Sequence, residues 1–320
     1  MRTMRTDLLF GEVYNTLPEG LMEARRPSAS QFYPADCGRA AREFLRGFVP
    51  PREPARIVAG IVPHAGWQYS GAVAAKVFAS IRAQGQPATF VILGAVHRWA
   101  GINGVYARGS WITPLGPVRI DEDLASQILE ETADWSLDDP NCHSGEHSIE
   151  VELPFVKFLF PDALFVPVAV NPDSRAIPLG QRIGRILKDR GPTAVVIGSS
   201  DLTHYGDIYG FTPAGFGTQA RRWMENNDGR ILRLIETMSD SEITEEAHRH
   251  RNACGAGAIA ATIAAARVLG AEGGQVLEHT TSYEVLPEGE FRMAVGYAAV
   301  LFGRRQRGRS EPEEIFEKES

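Results

Sequence analysis

Four short apolar runs constrain this chain more than anything else in it: Ile57 to Val62, Thr89 to Gly94, Ala163 to Val170 and Ala194 to Ile197. Runs of this length with no polar alternation read as strands buried on both faces, the pattern of a parallel sheet covered by helices. Helical patterns over Ser70 to Ala83 and Pro178 to Arg190 supply crossovers that return the chain parallel to its starting strand. The expected architecture is α/β, three layers (αβα) around a mostly parallel central sheet.

The residues just beyond the runs carry chemistry. The first run stops at Pro63-His64 and the second at Ala95-Val96-His97, 33 residues further on, about one strand-helix-strand unit. The fourth opens into Gly198-Ser199-Ser200-Asp201-Leu202-Thr203-His204-Tyr205-Gly206. Open parallel sheets bind ligands outside the carboxyl ends of their strands. One histidine there can merely satisfy loop backbone groups, but three strand ends with the same feature argue for a site. His64 and His97 are expected on one sheet edge, at neighbouring strand ends, where two neutral imidazoles can bind a transition metal.

Two further segments carry candidates. In Gly145 to Pro154, His147 and Glu150 are three apart before an apolar face of Ile149, Leu153, Val156 and Phe160, which suits a ligand pair or a supporting hydrogen bond. In Asn252-Ala253-Cys254-Gly255, Asn252 is expected to cap the Ala/Ile-rich helix running to about Leu269. Cys254 would then lie in the first turn, with its thiol pKa lowered. Taken by itself the cysteine reads more readily as a small core residue than as a ligand or nucleophile, the reading that also suits Cys37. The segment Gly101 to Ile120, with Val105-Tyr106 and the stretch Trp111 to Pro117, reads as a short hairpin beside the site, its aromatic residues more suited to core packing than to lining a pocket. His248 and His250 sit in a charged EEAHRHR run that reads as a solvated face.

Composition excludes other classes. With 40 acidic against 33 basic side chains and a net charge of -7, neither nucleic acid nor a membrane surface is expected as partner. Three cysteines without CxxC spacing give neither a disulfide framework nor a zinc ribbon, so a reducing cytoplasm is expected. No signal peptide and no membrane span are expected, the weakly polar run Ala256 to Ala266 being too short. Residues 1–26 read as a loosely packed extension, 27–302 as one domain, and 303–320 as a charged, disordered tail.

Taken together and in this order, VPHAGWQYSG, LGAVH, EHSIEVELPF, SSDLTHYG and NACG resemble the MEMO family, the Memo part of the AmmeMemoRadiSam set, over about Arg26 to Leu301. The resemblance implies a fold similar to the catalytic subunit of class III extradiol dioxygenases. It implies that His64 and His97 are paired metal ligands, with Cys254 third where those enzymes carry a carboxylate. His204 would be the nearby acid/base, with Asp201 and His147 bordering the site. Fe(II) is the ion implied first, with copper or zinc as alternatives because a thiolate is softer than a carboxylate. The substrate would be a small diol- or catechol-like molecule, and a homo-oligomer stays open.

These residues admit three readings: an iron-dependent dioxygenase, a non-catalytic metal- or peptide-binding protein, and a metal-assisted hydrolase with Glu150 or His204 as base. Serine hydrolysis is disfavoured, since Ser199 and Ser200 lack a GxSxG elbow.

Overall fold

The apolar runs become strands that differ in one respect from the expected arrangement: the two histidine-bearing strands are not neighbours. The computed structural model describes residues 24–98 and 101–304. A two-residue strand β1 (Ala24–Arg25) and helix α1 (Cys37–Phe44) precede β2 (Arg56–Val62), α2 (Trp67–Gln84) and β3 (Thr89–Gly94). Then come β4 (Asn103–Val105), the hairpin β5 (Ser110–Thr113) and β6 (Gly116–Arg119), α3 (Glu122–Glu131) and β7 (Ser136–Asp138). Helix α4 (Leu153–Leu159) leads to β8 (Leu164–Ala169), α5 (Ala176–Arg190), β9 (Ala194–Ser199) and β10 (His204–Tyr205). Helices α6 (Gly217–Glu236), α7 (Asp240–His250) and α8 (Ala256–Val268) come next, before β11 (Gly274–Thr281), α9 (Ser282–Val285) and β12 (Ala294–Arg304).

The main sheet runs β10-β12-β2-β9-β3-β8-β4-β7, with β11 also on β12. Its centre, β2, β9, β3 and β8, is parallel. β12 pairs antiparallel to β2, and β4 antiparallel to β8. Strand β9 therefore lies between β2 and β3, so Ser199 at its end stands between the two histidine loops. That interposition is invisible to spacing along the chain.

Helices cover both faces. Gly60 and Ile197 face each other across β2 and β9 and share a side of the pleat, and a Cβ on Gly60 would come within 2.7 Å of Val77 on α2. The next residue, Gly198, points the other way, and its Cβ would overlap Thr262 on α8. Helices α2 and α8 thus pack on opposite faces, which makes three layers. Helix α8 is apolar all round because it is buried all round: every residue from Ala256 to Ala266 is buried. Its small side chains let α5 come close, and Gly180 and Gly184 of α5 sit directly against Ala261 and Ala265.

Several boundaries need correction. The segment expected to pack loosely ends in β1, which pairs parallel to β5, and Arg25 is largely buried. Residues 1–23 lie outside the described residues. At the other end, Gly303 and Arg304 belong to β12 instead of the tail, and 305–320 lie outside the described residues. The hairpin expected after His97 is β5–β6, and its Trp111 is 1% exposed, a core residue. The apolar runs at the sheet's centre match the strands, while β9 continues two residues further, to Ser199.

Ala is normally favoured over Gly inside a helix by up to about 1 kcal/mol. At Gly180 the sign should reverse, because a methyl group there meets the Ala261 carbonyl, which is backbone and cannot yield. Gly180→Ala should cost about 1–3 kcal/mol in urea unfolding. Gly229→Ala on α6, where the nearest atom is a flexible Arg233 guanidinium at 3.6 Å, should be neutral or stabilising. Equal stabilisation by both would show that α5 and α8 are not packed backbone to backbone.

Candidate metal centre

The site forms where β2, β3 and β9 end. His64 lies two residues beyond β2 and is 1% exposed. Its backbone N–H donates to Asp201 Oδ1 at 2.7 Å, and its Nδ1 lies 2.8 Å from Ser199 Oγ. Ser199 has only one proton to give, and gives it to the Ser148 carbonyl at 2.6 Å. Its oxygen must therefore accept from His64 Nδ1–H, which assigns the tautomer and leaves the Nε2 lone pair free. Burial, then the neighbouring His97 and His147, push the His64 pKa well below the usual range, so the ring is neutral. A neutral imidazole with a free, oriented lone pair is what a metal requires.

His97 is held by a residue that the sequence did not single out. Glu146, 6% exposed, accepts from the His97 backbone N–H at 3.0 Å and faces His97 Nδ1 at 3.0 and 3.1 Å with its two oxygens. It also accepts the N–H groups of His147 (2.8 Å) and Ser148 (2.9 Å). Burial works against the Glu146 anion, but the hydrogen bond and charge of His97 and these amides outweigh it and hold its pKa well below the usual carboxylate range. Burial likewise works to lower the His97 pKa; hydrogen bonds to Cys254 and Glu146 outweigh it and push it up to about 10. A carboxylate on Nδ1 turns Nε2 to the far side of the ring, the usual support of a metal-binding histidine.

His147 closes the group. Its ring stacks on His97 with centroids 4.9 Å apart, packs tilted against Phe32 at 4.5 Å, and stands edge-on 5.3 Å from His64. One ring nitrogen each from His64, His97 and His147 lie within 4.8 Å of one another. Cys254 Sγ lies 3.3 Å from His64 Nε2 and accepts from the Asp201 backbone N–H, also at 3.3 Å. Ligand atoms bound at about 2.0–2.3 Å to one ion stand roughly 3.3–3.8 Å apart in a tetrahedral site; the Cys254–His64 separation lies in that range, and the three imidazole nitrogens, within 4.8 Å, would close up by up to about 1 Å around an ion.

Cys254 departs from expectation in two ways. It precedes α8 instead of lying in its first turn: Gly255 is the cap, and Asn252 spends its amide on the Asn227 carbonyl and Glu246. A side chain at Gly255 would press on the Ser199 carbonyl at 2.5 Å, so the helix start must be glycine. The thiol pKa is raised, not lowered, by burial, with the His97 hydrogen bond opposing.

Glu150 also departs. Instead of facing His147 it is 2% exposed and accepts five hydrogen bonds: Arg25 (2.7 Å), the Ser28 N–H and hydroxyl (both 2.9 Å), the Ala29 N–H (2.8 Å) and the Tyr33 hydroxyl (2.9 Å). His147 lies in the irregular segment before the 3-10 turn Glu150–Glu152, so the two residues belong to no common helix and helical i,i+3 spacing does not relate them. With its oxygens taken, Glu150 cannot be a hydrolytic base.

A cavity of about 600 Å³ opens over the imidazoles, lined also by Asp201, His204, Tyr69, Tyr209 and Tyr297. His204 Nδ1 lies 3.1 Å from the Leu202 carbonyl and donates to it, leaving Nε2 free, and its ring stands edge-on to Tyr209 at 5.0 Å. Asp201 is 3% exposed, and burial pushes its pKa up. His64, His97, His147, Asp201, His204 and Cys254 therefore meet at one place, and Glu150, the other candidate ligand or base, does not. His248 and His250 end α7, where His250 stands 2.8 Å from Arg230 Nη2.

A family model described as Memo-like protein matches residues 25–301. The chain belongs to the Memo-like family. It is 35% identical to a MEMO1 family protein of Thermococcus kodakarensis over 287 residues, 86% of this chain and 98% of that one. A MEMO1 family protein of Pyrococcus abyssi is 34% identical with the same coverage. One from Methanopyrus kandleri is 33% identical over 302 residues, 88% of this chain and all of the other. This Memo-like chain starts matching at Arg25, the residue that ties the N-terminal segment to Glu150. No described helix is long and apolar enough to cross a membrane.

One buried acid remains. Glu152 is 0% exposed and neither carboxyl oxygen has a hydrogen-bond partner among the described residues. Burial, then the charge of Asp201, push its pKa well above the usual range, so it is folded in as the neutral acid. In the unfolded chain it ionises near pH 4.3. As pH rises from there towards the raised folded value, the unfolded state loses a proton that the native state keeps, and stability falls. Glu152→Met should therefore stabilise the fold more at pH 8 than at pH 5, by about 1–3 kcal/mol at the higher pH, read by urea unfolding. Glu152→Gln should flatten the same pH dependence; a wild-type slope in that variant would mean that Glu152 ionises freely.

Proposed function

We propose that this Memo-like protein binds one transition-metal ion, Fe(II) first, through His64, His97 and Cys254, and oxidises a small diol- or catechol-like molecule in the cavity over them. The observation that carries this is the forced tautomer of His64. Ser199 spends its proton on Ser148, so the His64 Nε2 lone pair faces Cys254 Sγ at 3.3 Å beside His97. A core histidine has no need of that arrangement, whereas a ligand does.

When bound, such an ion supplies open positions for a bidentate oxygen substrate and dioxygen and activates both. The chain's own groups do the rest. His204, fixed by Leu202, presents Nε2 to the cavity and can take the proton of a substrate hydroxyl. Burial, then the charge of Asp201, raise the Tyr209 pKa, so the phenol stays a hydrogen-bond donor at neutral pH. Asp201 uses one oxygen to hold the His64 loop in place. Tyr69 and Tyr297 give the cavity flat walls suited to a ring-shaped substrate. The hydrolytic reading loses Glu150, whose oxygens are committed to the N-terminal segment.

Protein purified without oxygen or chelator should carry metal, and His64→Ala should lose metal and oxygen uptake together. His204→Ala should keep the metal and lose about 10²- to 10⁴-fold in turnover. An oxygen electrode with a panel of catechols and enediols reads the second result. Full metal occupancy without uptake from any of them would leave a metal-binding protein in place of an oxygenase.

A further inference from the structure

The cluster holds one more donor than the proposed ligand set uses. His64 and His97 are joined by Cys254 from the segment just before α8 and by His147 from the turn before α4, two elements far apart in the chain. His147 is already placed. Its backbone N–H is fixed by Glu146, the carboxylate that also orients His97, and its ring packs against both Phe32 and His97. Its nearest acidic atom, Glu146 Oε1, is 3.6 Å from Nδ1, too long for a hydrogen bond, so neither ring nitrogen has a hydrogen-bond partner among the described residues. A half-buried imidazole held rigidly with both nitrogens uncommitted, one of them within 4.8 Å of a nitrogen on each of two other histidines, is a ligand in waiting.

We propose that the centre has two ligand sets: His64, His97 and Cys254 when the thiol is available, and His64, His97 and His147 when it is not. The exchange rests on the reading that the cluster binds metal, and it adds a role for His147 that bordering the site does not require. It also changes which ions are favoured. With the thiolate, Cu(I) and zinc compete well with iron, whereas three imidazoles suit zinc, Cu(II), Ni(II) and iron and no longer favour Cu(I). Because the two third donors hang on different elements, loss of Cys254 leaves the Glu146 and Phe32 supports of His147 untouched.

Titration of the full chain with Co(II) alone separates the cases. Wild type should bind one equivalent with a thiolate charge-transfer band in the near ultraviolet. Cys254→Ser should still bind one equivalent, without that band, about 10- to 100-fold more weakly, the loss typical of disturbing a metal site's support. In the Cys254→Ser background, His147→Phe, which keeps the stacking, should abolish binding at the same concentrations, whereas His147→Phe alone should cost wild type less than tenfold. Copper(II) on Cys254→Ser, read by electron paramagnetic resonance, should show three nitrogen couplings without any change at His147. Co(II) bound by wild type but not by Cys254→Ser overturns the exchange alone. Equal binding by Cys254→Ser with and without His147, or two nitrogen couplings, does the same. No Co(II) on wild type overturns the metal reading and the exchange together.

Discussion

A single carboxylate, Glu146, ties the turn before α4 to the loop after β3. It takes two hydrogen bonds from His97 and the backbone N–H groups of His147 and Ser148. Burying an anion is costly unless it is paired and fully hydrogen-bonded, and here the surrounding donors come from the groups that must be positioned. The interaction therefore works in both directions: the anion is tolerable because the loops converge, and the loops are held because the anion needs them. Ser148, pinned by the same carboxylate, offers its carbonyl to Ser199, which in turn sets the ring of His64. The orientation of both strand-end histidines descends from that one buried charge.

A second layer of support lies outside the cavity. Arg25 reaches Glu150, the carbonyls of His143 and Glu146, and the face of Trp111 at 4.0 Å. Trp67, the first residue of α2, donates to the Val151 carbonyl and stacks on Phe155 at 3.9 Å. The turn carrying His147 is thus gripped from the N-terminal segment on one side and from α2 on the other. Such rigidity is what a metal site needs, since ligands left loose do not define a geometry.

The parts legible in the sequence were those governed by burial. Strands covered on both faces cannot alternate polar and apolar residues, so β2, β3, β8 and β9 stand out as apolar runs, and the histidines beyond β2, β3 and β9 mark the site edge. Strand order was not legible, because a crossover fixes the direction of the next parallel strand but leaves a gap that a later strand can fill, as β9 does. Glu146 was passed over for Glu150 because helical spacing was applied to His147, which lies in irregular chain before the 3-10 turn. Its position next to His147 was the available signal. Asn252 has the composition of a cap, yet the close approach of Gly255 to Ser199 decides where α8 begins. The involvement of Arg25 had no local signature at all, since its partner lies 125 residues away.

The insertion of β9 between β2 and β3 has a consequence for how the protein comes into being. His64 and His97 emerge early from the ribosome, but the serine that fixes one of them is residue 199 and the thiol beside it is residue 254. Until that point the nascent chain has two imidazole loops separated by an unfilled slot in the sheet. Ser199 and Cys254 join His64 only when β9 and the segment before α8 take their places, so the proposed thiolate ligand set is among the last features of the fold to assemble.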